Sequence, residues 1–204
     1  AFLGGVRRAW SLDLSDLPFL DTVDLPPGVR ALGRLTVVDV PLRELDLGEL
    51  HVEQVWVRGS SVRRVGSQAR ELAAVVLSDV RALRTLDFPE LEQLGELSLD
   101  DADSLVTVTG FPKLARLGRL ALSDLESLRG VELPAGVHVD RLEFWLNPEL
   151  ARLTVDTLLT GYRVRNVGRQ LASLPYFVRN LIIKALILGK LGFLTQPLFG
   201  HDPK

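Results

Sequence analysis

Five aspartates, Asp16, Asp39, Asp79, Asp101 and Asp124, recur at intervals of 23, 40, 22 and 23 residues. A stacked carboxylate column has two chemical uses. It can hold a hard cation through oxygen ligands, or each Asp can turn the chain at a strand exit by accepting hydrogen bonds from nearby backbone amides. The flanking residues lack the Gly- and Asp-dense repeats of calcium-binding β-rolls, which favours the turn. The three histidines, His51, His138 and His201, stand far apart with no ligand spacing around them. None is flanked by a pattern expected of a nucleophile and its base. The paired glycines of "FLGGVRR" have neither the spacing nor the lysine of a phosphate loop. With no cysteine, thiolate metal sites and disulfides are excluded. The expectation is a non-enzymatic protein with no cofactor and no bound metal.

The carboxylate column belongs to a larger pattern. "LGELSLDD" and "LGRLALSD" start 23 residues apart, at Leu94 and Leu117. Taking the first leucine of each "LxL" as position 0, the pattern recurs at Leu12, Leu35, Val55, Val75, Leu97, Leu120 and Leu142, in steps of 20 to 23 residues. Positions −3 and +2 are apolar in every copy. So are a position seven or eight residues on (Leu20, Leu42, Val62, Leu83, Leu105, Leu128, Leu150) and another three beyond it (Val23, Leu45, Val65, Leu86, Val108, Val131, Leu153). Alternation at 0 and +2 predicts a short strand with one buried face. Stacked copies predict a parallel sheet with a continuous apolar core, since one coil cannot bury its apolar face alone. Position −2 is Gly33, Gly95 and Gly118 in three copies, which predicts a tight turn just before the strand.

The "LxxLxL" spacing, the elements "FPEL" (88–91) and "FPKL" (111–114), and "NPEL" (147–150) resemble a leucine-rich repeat, and the coil lengths are closer to the receptor L-domain type. The resemblance covers about residues 9 to 155. It implies a mainly β, leucine-rich parallel β-solenoid of about seven coils over residues 1–155. The chain departs from the standard pattern by lacking an Asn ladder. Pro, Gly and three-residue leucine spacing suit extended or short turn segments on the back of each coil better than helices.

Positions −1, +1 and +3 should face outward from the strands. Among them Arg34, Trp56, Arg58, Glu96, Arg119, Arg141, Glu143 and Trp145 are the candidate binding residues, because Trp and Arg are enriched in binding hot spots. Trp145, in the last clear coil, has a second use, packing beneath a C-terminal cap. Tryptophans on a solenoid face also suit sugar stacking, so carbohydrate binding is a third class of function.

Residues 156–204 carry seven Lys or Arg against two Asp, although the whole chain has a net charge of only −2. An acidic body with a basic tail suggests different partners for its ends; the near balance gives no nucleic-acid signature. "YRVR" (162–165) falls one period after Leu142, and Arg163 and Arg165 would form a basic corner with Arg119 and Arg141. Residues 171–194 read as a helix whose polar side holds Arg179, Asn180, Lys184 and Lys190 and whose apolar face is very wide. Phe177, Arg179, Leu181, Lys184, Leu188, Lys190 and Phe193 are its candidate membrane or partner contacts. The segment is expected to cap the solenoid, to join copies or another protein, or to lie on anionic membrane. The function expected is a protein-binding or scaffold module; the alternative is a peripheral membrane or envelope protein anchored by that helix. The location expected is cytoplasmic, with peripheral membrane attachment as the variant, or the envelope if Ala1 follows a cleaved signal peptide. The Arg-, Leu- and Val-rich, Lys-poor composition suggests a bacterial source of high GC content.

Overall fold

Seven eight-residue strands stack in parallel and in register: β1 (Arg8–Ser15), β2 (Ala31–Val38), β4 (His51–Arg58), β6 (Glu71–Ser78), β8 (Gln93–Asp100), β10 (Arg116–Ser123) and β12 (His138–Trp145). The structure is a computed structural model and describes residues 8–23, 29–145, 147, 149–150, 152–154 and 158–159. A two-residue strand, β14 (Leu158–Leu159), adds to β12 and completes an eight-stranded sheet. The register aligns every anchor with the next, Leu12 with Leu35 and onward to Leu120 with Leu142. The result is a parallel β-solenoid of about 6 turns. β14 continues the register, with Val139 opposite Leu159. The "YRVR" segment, and the helix expected over 171–194 with all its contact residues from Phe177 to Phe193, lie outside the described residues.

From the second coil onward the back of each coil is a short strand and not a helix, in line with the extended or short turn segments that the sequence predicts. β3 (Glu44–Asp46), β5 (Arg64–Gly66) and β7 (Thr85–Asp87) form one small parallel sheet; β9 (Thr107–Val108), β11 (Gly130–Glu132) and β13 (Arg152–Thr154) form a second. Leu45, Val65, Leu86, Val108 and Val131, one on each back strand up to β11, are all buried. The apolar columns meet in one core. From the second coil onward, positions −3, 0 and the back-of-coil leucines and valines are buried throughout the described residues. Phe88 and Phe111 stack within it, with ring centroids 5.3 Å apart.

Two sequence expectations change in detail. Gly33, Gly95 and Gly118 are not turn residues before a strand; each is the third residue of a long strand. Positions −3 and 0 both point inward although they are three apart, so the strand must bend between them, and the pairing register skips −2 at each of these glycines. At this corner a Cβ on Gly95 or Gly118 would lie 2.4 Å from the carbonyl oxygen of the strand before. The glycines permit close stacking at the corner.

The aspartate column turns the chain, but through its own backbone. Asp16, Asp39, Asp79, Asp101 and Asp124 all have φ between 50° and 54°. This left-handed region disfavours most L-residues, and Asp tolerates it because its short polar side chain bonds locally. Of the two coils without an Asp, the third has Gly59 at the same position, with φ 60°, and the seventh has Leu146, which lies outside the described residues. Backbone bonds run along the column, from Asp39 N to Arg58 O (3.0 Å), Gly59 N to Ser78 O (3.1 Å) and Asp79 N to Asp100 O (3.0 Å). Asp124→Ala is therefore expected to cost about 1 kcal/mol, while Asp124→Gly changes stability by less than about 0.5 kcal/mol. Urea unfolding midpoints of the two variants check the difference.

Candidate functional site

Outward positions of the long strands form one continuous face, and the sequence-selected residues fall on it in two clusters. The first is on β2 and β4. Arg34 Nε donates to Gln54 Oε1 (3.0 Å), and its guanidinium carbon lies 5.6 Å from the centre of the Trp56 ring. That distance is within cation–π range, so Arg34 holds the indole without burying it. Trp56 remains 42% exposed. Arg58, two residues on, is exposed at the strand end.

The second cluster is an ion network on β8, β10 and β12. Arg119 Nη1 donates to Glu96 Oε1 (2.5 Å) and Arg119 Nη2 to Glu143 Oε2 (2.7 Å). Arg141 Nε lies 2.6 Å from Glu143 Oε1, an ion pair without the alignment of a hydrogen bond. These contacts raise the Arg119 pKa above its ordinary value, chiefly through the bond to Glu143, against the opposing effect of burial. Two carboxylates, Glu96 on β8 and Glu143 on β12, balance the guanidinium groups of Arg119 and Arg141, the two described members of the basic corner expected with Arg163 and Arg165. Arg163 and Arg165 lie outside the described residues. Trp145 ends β12 and is 40% exposed.

Between the two tryptophans runs a shallow trough of about 620 Å³. Its walls are Trp56 and Arg58 at one end and Trp145, Phe144 and Glu143 at the other. Val76, Ser78, Ser98, Ala121 and Ser123 make the floor, with Asp100 beside them. Ser78 Oγ donates weakly to Asp100 Oδ2 (3.4 Å). Sequence reasoning selected the bulky and charged ends and passed over this floor. The signal was there as a run of small residues at +1 and +3 in the central coils, and it has meaning only once the register sets them side by side. Arg34 does not line the trough, which reaches β2 through Thr36 and Val38.

The trough sits on a rigid base. Buried Ser60 Oγ donates to Val40 O (2.7 Å) across one coil boundary. Buried Asn147 accepts from Leu125 N (3.2 Å) and donates to Leu122 O (2.9 Å) across another. Asn147, the first residue of "NPEL", thus ties the Trp145-bearing coil to the coil before it. A second groove, about 510 Å³, follows the bend in the strands past Gly95 and Gly118. Its rim carries Arg116 and Asp140, which pair at 3.3 Å. No protein-family model, curated protein or solved structure matches the chain.

Proposed function

We propose that the chain is a non-enzymatic protein-binding module, a leucine-rich solenoid of the L-domain-like type, whose trough receives an extended segment of a partner protein. The observation that carries the reading is the pair of half-exposed tryptophans on one face, with a floor of small side chains between them. Exposed aromatic anchors beside arginine are the side chains that most often dominate binding energy. The charged groups around the trough largely balance one another, so an apolar and uncharged segment fits better than a strongly charged one. Trp56 on β4 and Trp145 on β12 are four strand spacings apart. At roughly 4.8 Å per spacing this is about 19 Å, which an extended chain spans in about six residues. The partner segment should therefore carry two apolar anchors about six residues apart.

Selection from a displayed library of random dodecapeptides tests this. Enriched peptides are expected to share two large apolar residues at that spacing. The Trp56→Ala/Trp145→Ala variant is expected to lose at least about 2 kcal/mol of their binding, with each single variant losing part of it. Enrichment of peptides indifferent to both tryptophans would overturn the reading. Binding on a glycan array that requires the same tryptophans, without any peptide selected, would move the function to carbohydrate recognition.

A further inference from the structure

Among the described residues, the interior columns are less covered at the first coil. Leu12, Leu14 and Leu20 occupy positions that Leu35, Val37 and Leu42 fill one coil later. The later three are at most 1% exposed, whereas the first three are only partly buried. Beside them Trp10 is 91%, Phe19 95% and Leu17 40% exposed. These are three of the six large apolar side chains exposed among the described residues, gathered at one end of the stack. β1 pairs with β2 alone among the described strands, so its other edge presents backbone donors and acceptors that no described strand takes up. Such an edge is a template for another strand.

The charge pattern of β1 identifies the strand that fits. In "RAWSLDLS" the side chains of Ala9, Leu12 and Leu14 turn toward the core, while Arg8, Ser11 and Asp13 point away from it. A second copy related by a two-fold axis would place its β1 antiparallel to this one. Two well-overlapped registers keep core-facing residues opposite core-facing residues. One sets Leu12 against Leu14 and forces Asp13 against Asp13, a repulsive pair. The other sets Ala9 against Leu12, Trp10 against Ser11 and Arg8 against Asp13, and the two-fold axis repeats each pairing. Arg8 is available for this, since its contact with Glu53 is 3.7 Å long and its side chain is 74% exposed.

We infer that two copies of the chain stack through their first coils, β1 against β1, with two reciprocal Arg8–Asp13 pairs and Trp10 covered on either side of the axis. The main sheet then continues across both chains, the partly buried leucines gain the neighbour that every later coil has, and both troughs stay open. Two troughs on one rigid assembly would also bind a repeated or dimeric partner with avidity.

Sedimentation equilibrium of the full chain tests the contact. The wild type is expected to be a dimer. Asp13→Arg, which sets Arg8 of each copy against the arginine introduced in the other, is expected to raise the dimer dissociation constant about tenfold or more. The reversed pair, Arg8→Asp with Asp13→Arg, is expected to restore the dimer, which separates a lost contact from a lost fold. Trp10→Glu should give a monomer with an unchanged circular dichroism spectrum. A wild-type chain that stays monomeric at about 0.1 mM would overturn the inference. A dimer indifferent to Asp13→Arg, or a reversed pair that fails to reassociate, would overturn it too.

Discussion

Phe88→Ala is expected to lower the free energy of unfolding by about 3–5 kcal/mol, the range for removing a fully buried phenylalanine. Phe88 is completely buried, and its ring lies nearly parallel to that of Phe111 on the next coil, at an interplanar angle of 6°. Truncation removes the transfer free energy of the ring and the stacking contact, and leaves a cavity that backbone on both sides is poorly placed to fill. Neighbouring coils are bonded there, with Phe88 N donating to Gly110 O at 2.9 Å. Phe88→Leu keeps most of the volume and should cost less than about 1.5 kcal/mol. Guanidinium unfolding of the two variants gives the comparison. Equal losses would mean that the aromatic pair is not packed as described. The location gives the loss a functional side. In a solenoid each coil rests mainly on its neighbours, and this interface lies between the strand bearing Trp56 and the strand bearing Trp145. A weakened junction there uncouples the two ends of the trough, so two-anchor binding should fall more steeply than binding at either end alone.

The fold was legible because a solenoid repeats its burial pattern. Each inward column is sampled in every coil, and agreement among Leu35, Val55, Val75 and Leu97 outweighs any single ambiguous residue. The back strands were legible for the same reason, at Leu45, Val65, Leu86 and Val108. Less legible was whatever depends on backbone angle. The Asp column reads equally well as a set of hydrogen-bond acceptors or as a set of left-handed residues. Gly59, in the same column, was the clue, because Gly and Asp share a tolerance for positive φ and share little else. The corner at Gly95 and Gly118 was misread because period-two alternation describes a straight strand, and these strands bend. Charge partners were hidden further still. Arg119 meets Glu96 directly across the β8–β10 register and meets Glu143 diagonally on β12, and neither contact follows from spacing within one coil. The partial burial of Leu12, Leu14 and Leu20 shows only when they are compared with their counterparts one turn later.

Gly110→Ala is expected to cost about 3 kcal/mol or more, well above an ordinary glycine-to-alanine change. Two effects add at this position. Gly110 has φ 103°, a conformation unfavourable for a residue with a side chain. A Cβ there would also lie 1.9 Å from Leu86 O and 2.8 Å from Leu86 C. The obstacle is backbone within the short strand β7, so it cannot swing aside as a side chain would. Moving it would draw Phe88 N away from the Gly110 carbonyl, and with it disturb the Phe88–Phe111 stack. The same position marks the change from the first back sheet, which ends at β7, to the second, which begins at β9. Gly136 supplies the control. Its φ is 79°, but nothing lies within 4 Å of a Cβ built on it. Gly136→Ala should therefore show the conformational cost alone, about 1 kcal/mol. The difference between the two variants in urea measures the close approach to Leu86. Amide exchange at Phe88 should speed up in Gly110→Ala and stay slow in Gly136→Ala. Equal losses in the two variants would show that the backbone is not as tightly apposed there as the stack requires.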